Sequence, residues 1–382
     1  MLKQEMARSK VALIASKSYG KEIRVAVKQA IDLIGGIKEV VQPEDVVLIK
    51  PNLVNSYDAE SGNVTHFSLI EPLIEACHLC GASRIIVGDG SADIDTTAAF
   101  TISGIKKVID RVRHKGISVE LVDLNYDRNP KTNEFEVVNL GENGLYPNFT
   151  YRVAYTVLNA DVIISVPKLK AHPLTGMSCA LKNMMGIAPG GYYGFPKRRS
   201  DALPHGTFKN SLHNDVIWRI ILDLHRIALG KYVGSPKERK YMIIVDGVVA
   251  GAYDKALGLG DPYWMAVWKP IKMGAIIAGF DPVAVDTVSA RLMCYRPENI
   301  PTIVHASEIG LGTMSNIEII GEQIRNIRKF VPQSKGFLSM VDLHMPKLWP
   351  KAFYYALKTN MSERINNTKP SIYAFLKKHN LC

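Results

Sequence analysis

The sequence predicts an α/β fold, a mostly parallel sheet flanked by helices, with a glycine-rich loop insertion and a helical, basic C-terminal tail. Two observations carry this. Seven short Val/Ile-rich runs, each apolar on both faces, alternate with helical patterns along the chain, as strands buried in a parallel sheet do. The chain has 382 residues, 47% of them hydrophobic, which is enough for a full core.

The first run is KVALIAS at 10–16, followed by a helical pattern from Lys21 to Ile34. DVVLIK at 45–50 comes next, then a helix from Ser68 to Cys80 closed by Gly81. RIIVGD (84–89), SVELVD (118–123) and DVIISV (161–166) follow. The rhythm breaks at 188–204, APGGYYGFPKRRSDALP, whose glycines and prolines predict a long surface loop. YMIIVD (241–246) and MGAIIA (273–278) resume it, and a helix from Asp281 to Met293 opens on an Asp-Pro start. A further break at 330–336 divides an α/β body, residues 1–334, from a tail of residues 335–382. Within the body a division into two lobes, about 1–170 and 171–334, is a candidate arrangement.

Net charge is +11, and the tail accounts for more than half of it, with eight basic residues against two acidic ones. Aromatic residues, among them Trp349, Tyr354 and Tyr373, are interleaved with those cations. Such a tail suits helices docked on the body or across a homo-oligomer, or an anionic surface or partner such as a ferredoxin-like protein. The body carries an ordinary charge and gives no ground for nucleic-acid binding. The longest apolar runs, VALIA at 11–15 and MGAIIAGF at 273–280, fall far short of a transmembrane span, which needs roughly 20 residues. The N-terminus lacks a signal-peptide core, and five scattered cysteines do not form a disulfide framework, so the expected compartment is the cytoplasm.

Open α/β sheets bind ligands beyond the carboxyl ends of their strands. Four of the runs end in polar clusters: Lys50 and Asn52, Asp89, then Lys168, Lys170 and His172, and Asp246. If the strands are parallel, these clusters meet in one crevice. A lone Asp or Asn after a strand commonly caps a helix, but a lysine has only donors and caps no helix N-terminus. Lys50, Lys168, Lys170 and Lys182 therefore predict an anionic ligand, a carboxylate or phosphate. Thr175, Ser178 and Asn183 add hydrogen-bonding groups in the same stretch, and Lys209 adds a cation beyond the loop. His172 is a candidate acid/base because it titrates near neutrality beside cations, and His205 is a second candidate. Asp246, Asp281 and Asp286 read equally well as caps or as supporting groups. Cys77 and Cys80 have metal-ligand spacing but sit in a helical pattern without a second pair, and no glycine run spells a nucleotide-binding motif.

IKPNLV (49–54), GASRIIVGDG (81–90), VPKLKAHPLTGMSCALKNMMG (166–186), VDGVVA (245–250) and FDPVAVDTVSARLM (280–293) resemble, in that order, the domain of unknown function 362 family. The resemblance implies an α/β protein, often linked to redox operons or ferredoxin-like modules. This chain has no cysteine run that could hold an iron–sulfur cluster. His172, Gly176, Ser178 and Lys182 also follow a spacing similar to a segment of the nickel-pincer lactate racemases. That local resemblance implies His172 as acid/base and Lys182 as the tether of a nickel-pincer cofactor, with His205 a candidate nickel ligand whose spacing does not match. Ala180 and Leu181 stand where the racemases have two glycines. The expected function is a redox or isomerisation enzyme acting on a small anionic metabolite. The alternative is a non-catalytic binding or electron-transfer accessory protein working with an iron–sulfur partner.

Overall fold

The computed structural model describes residues 8–92, 95–172, 175–194, 217–253 and 268–327. The loop insertion beyond residue 194, with His205 and Lys209, and the 335–382 extension lie outside the described residues.

The strands are β1 (Ser9–Ala15), β2 (Val46–Lys50), β3 (Arg84–Asp89), β4 (Glu120–Asp123), β5 (Glu136–Asn139), β6 (Thr150–Val153), β7 (Val162–Ser165), β8 (Lys168–His172), β9 (Gly176–Ser178), β10 (Lys240–Tyr253), β11 (Trp268–Gly279) and β12 (Ile317–Gly321). The helices are α1 (Glu22–Leu33), α2 (Ile70–Leu79), α3 (Thr96–Ile102), α4 (Ile105–His114), α5 (Tyr155–Asn159), α6 (Ala180–Asn183), α7 (Gly190–Tyr193), α8 (Ile217–Leu229), α9 (Pro282–Leu292) and α10 (Pro301–Glu308).

One sheet runs in the order β12-β1-β11-β10-β7-β2-β3-β4. Along that path every strand points the same way except β11, which is antiparallel to both β1 and β10. β11 pairs with β10 from Ile243–Gly279 to Tyr253–Trp268, as the second arm of a hairpin. All seven expected runs are strands of this sheet, and their apolar character has a direct cause. Alternate residues feed two cores, one on each face. Val11 and Leu13 face one core with Leu48, Ile163, Ile243 and helices α8 and α9. Ala12 and Ile14 face the other with Val47, Ile164, Met242 and helices α1, α2 and α4. Strands from both sides of residue 170 interleave in this single sheet. No described helix is long and apolar enough to cross a membrane.

Asp281 ties the β1 side of the sheet to α9. Its Oδ1 accepts the Val283 and Ala284 amides, both at 2.9 Å, capping the helix. Its Oδ2 accepts the Ser9 hydroxyl at 2.8 Å and the Thr313 amide at 2.9 Å. Gly312 packs so closely that a Cβ there would overlap the carboxylate. Asp281→Ala should lower the unfolding free energy by about 2 kcal/mol, through loss of a cap and two tertiary hydrogen bonds, as read from urea denaturation.

Candidate functional site

The polar residues that end β2 and β3 meet first. Lys50 Nζ donates to Asp89 Oδ1 at 2.5 Å, and both side chains are buried. The second Asp89 oxygen accepts the Leu53 amide at 2.6 Å. Asn183 lies over the same pair: its amide nitrogen donates to Ser165 Oγ of β7 at 2.9 Å and to the Lys50 carbonyl at 3.3 Å. A Cβ at Gly186 would sit 2.4 Å from Asp89 Oδ1 and 2.6 Å from Lys50 Nζ, so only glycine lets the chain pass there.

A second buried pair forms where β8 leaves β7 and runs beside β10. Lys168 and Asp246 are direct partners across these strands, with Nζ to Oδ2 at 2.8 Å. The Tyr19 hydroxyl accepts from Lys168 at 2.7 Å and donates to Asp246 Oδ1 at 2.7 Å. The His66 backbone amide donates to Asp246 Oδ2 at 2.9 Å, and the His66 ring stacks on Tyr19 with centroids 3.7 Å apart. Burial lowers the His66 pKa to about 4, so the ring is neutral at physiological pH. Burial and the neighbouring Asp246 raise the Tyr19 hydroxyl well above its ordinary value, which keeps its proton in place.

Two lysines remain. Lys170 is buried, and its Nζ donates to the Asn63 carbonyl at 2.6 Å. That loop reaches it because Gly251 has no side chain: a Cβ there would strike the Gly62 carbonyl and Lys170. Burial, then the charges of Lys182 and Lys168, press the Lys170 pKa well below the lysine range. Lys182 is half-buried on the short turn α6, and its side-chain amine makes no hydrogen bond or ion pair with the described residues. Burial and Lys50 lower its pKa to about 8. The site thus gathers four lysines around two carboxylates, Asp89 and Asp246.

The other expected residues fall around this centre. His172 ends β8, half-buried, paired through its backbone with Gly176 of β9. Thr175 is buried, and its hydroxyl donates to the Met177 carbonyl at 2.9 Å. Ser178 is buried opposite Lys170 in the β8/β9 hairpin. The Asn52 amide donates to Thr65 Oγ1 at 2.8 Å, while its side-chain Oδ1 is buried without a hydrogen bond among the described residues, as is Asn63 Oδ1. Lys50 and Lys168, expected to meet a ligand, are paired with carboxylates of this chain 39 and 78 residues away in sequence. Tyr19, Asn63, Thr65 and His66 were not picked out. The available signal for Tyr19 was its place in the polar loop after the first strand, under the same strand-end rule.

Residues 47–291 match the family described as Domain of unknown function (DUF362). The chain belongs to that family. This DUF362 chain is 22% identical over 303 residues to the Thylakoid-associated protein sll1697 of Synechocystis, covering 79% of each. Among solved structures it is similar to a Thermotoga maritima protein from a structural genomics programme, at 13% identity and a TM-score of 0.39 over 80% of this chain. It is also similar to the lactate racemase apoprotein of Thermoanaerobacterium thermosaccharolyticum, at 14% identity and a TM-score of 0.35 over 64% of this chain. It spans 60% and 52% of the lengths of those two structures.

Removing one partner of a buried ion pair strands the other. Lys168→Met alone should destabilise the protein by about 3–5 kcal/mol, and Lys168→Met with Asp246→Leu should recover much of that loss, as read from denaturant unfolding.

Proposed function

We propose that the crevice at the strand ends binds a small anionic metabolite bearing a carboxylate or phosphate, and that the chain acts on it by redox or isomerisation chemistry. The observation that carries this reading is Lys182. Asp89 and Asp246 already answer Lys50 and Lys168, whereas Lys182 meets no acceptor among the described residues. A second positive charge forced close to Lys50 is unfavourable unless something negative joins it. An anion in the crevice supplies that charge.

Roles then follow from position. Lys182 and Lys170 hold the anionic group through charge-assisted hydrogen bonds. The buried oxygens of Asn52 and Asn63 are acceptors with no donor, suited to a hydroxyl on the ligand. His172, half-buried at the end of β8, moves the proton. Lys50, Asp89, Lys168, Asp246 and Tyr19 keep these groups in place and exclude water.

A second reading excludes the anion contact of Lys182: the nickel-pincer cofactor that the local resemblance implies would be tethered there, leaving Lys170 to meet the anion. An amine without a partner among the described residues, and deprotonated above about pH 8, fits a covalent tether. The described residues place no group of three or more His, Cys, Asp or Glu side chains for a metal, and His205 lies outside them. When bound, such a group supplies an electron-accepting centre. Metal analysis with intact and peptide mass on protein purified without oxygen tests this: nickel with added mass on Lys182 supports the tether, and unmodified, metal-free protein overturns it.

The anion reading has its own test. Binding of an anion favours the charged form of Lys182, so the complex holds a proton that the free site loses above about pH 8. Affinity for a small carboxylate such as lactate should therefore begin to fall as the pH rises through about 8. It should fall by up to about tenfold per unit above it. Lys182→Met should weaken binding and remove this pH dependence, as measured by calorimetry; equal affinity in the variant would refute the reading.

A further inference from the structure

Lys182 rides on a single helical turn, and a four-residue turn is not stable by itself. Its first residues offer free backbone N–H groups, and no side chain of its own segment caps them. The acceptors come from 106 residues further along the chain. Asp286, buried on α9, accepts the Ala180 amide through Oδ1 at 2.7 Å and the Leu181 amide through Oδ2 at 3.1 Å. The Leu181 carbonyl, on the same turn, faces Nδ1 of His225 on α8 at 3.4 Å. His225 is buried and its ring stands edge-on to Tyr241 of β10. The Cys179 thiol, just before the turn, donates to Ser289 Oγ one helical turn along α9 at 3.5 Å.

We infer that Asp286 is a positioning residue for Lys182, a carboxylate on α9 that fixes the α6 turn and thereby sets where the amine is carried at the strand ends. This rests on the reading of Lys182 as the ligand-facing group of the crevice. The geometry is specific. Each carboxylate oxygen takes one N–H, so the turn can neither slide nor rotate without leaving a buried donor unpaired. Asn183, the last residue of the turn, is locked in turn to Ser165 and Lys50. The turn is therefore clamped at its start by α9 and at its end by β2 and β7, with Lys182 between the clamps. Asp286 makes no contact with ligand and acts only through the backbone of the turn.

Asp286→Asn keeps the shape but presents an NH2 group to one of the two amides, so one clamp fails. The experiment reads the pH dependence of amine modification at Lys182 in the full chain, by acetic anhydride labelling and peptide mass spectrometry above pH 7, with no ligand present. In the native protein, Lys182 should titrate near pH 8. In Asp286→Asn the released turn lets the amine reach water, and its titration should move up by about one pH unit or more toward the ordinary lysine value. Asp223→Asn is the control. Asp223 is an equally buried carboxylate that holds the Leu145 and Tyr146 amides and the Tyr151 hydroxyl, and its loss should lower stability and leave Lys182 unmoved.

An unchanged Lys182 titration in folded Asp286→Asn, or an equal shift in Asp223→Asn, overturns the proposal. If Asp286→Asn does not fold, Asp286→Glu, which keeps the charge and displaces it by one methylene, should shift Lys182 in the same direction; no shift overturns the proposal. Because no ligand enters the measurement, a failure of phosphate or carboxylate to bind would refute the functional reading and leave this test standing.

Discussion

The structure at the carboxyl ends of the strands depends on burying two lysine–carboxylate pairs there. An ammonium or carboxylate alone in this interior would cost several kcal/mol, so Lys50 requires Asp89 and Lys168 requires Asp246. The pairs in turn dictate the path of the 51–66 loop. Leu53 must offer its amide to Asp89, and His66 must offer its own to Asp246. Between them Thr65 Oγ1 accepts from Asn52 and donates to the Val166 carbonyl at 2.6 Å. The loop is stapled over the strand ends because the charges beneath it need its N–H groups. Gly186 and Gly251 are the complementary requirement, the points where backbone approaches too closely for any side chain.

The same arrangement sorts the four lysines. Two are neutralised from within the chain and serve as fixed structure. The other two are pressed toward the uncharged state by burial and by neighbouring lysines, Lys170 by Lys182 and Lys168, and Lys182 by Lys50. As a matter of chemistry, a nearby anion restores the charge of an amine in that condition, and an electrophile meets its lone pair. The functional distinction within VPKLKAHPLTGMSCALKN thus lies in partners, and the residue type is shared.

Much of the fold was legible because a strand covered on both faces is written as an uninterrupted apolar run, and seven such runs are present. The direction of β11 was not, since MGAIIA reads the same for a parallel or an antiparallel strand. β8 and β9 escaped notice because their residues are the polar ones of the site itself, and β12 because IEII is short. Strand-end clustering correctly brought Lys50, Asp89, Lys168 and Asp246 together, but β10 continues past Asp246 to Tyr253, so that aspartate sits within a strand. Pairing across 78 residues, or across 227 between Tyr19 and Asp246, leaves no local periodicity for a sequence to display. His66 and His225 looked unremarkable for the same reason.

The position of the crevice follows from the order of the strands. From β2 the chain moves outward through β3 to β4, whereas from β7 it moves the other way to β10, so neighbours β2 and β7 send their connections in opposite directions. In open α/β sheets such a reversal is the point at which ligands generally bind. Asn183 spans it, joined to Lys50 of β2 and Ser165 of β7. Lys182, its neighbour in sequence, is therefore brought to the point where the strand order reverses. The need to bury charge determines which residues gather at that point, and the reversal of strand order determines where it lies.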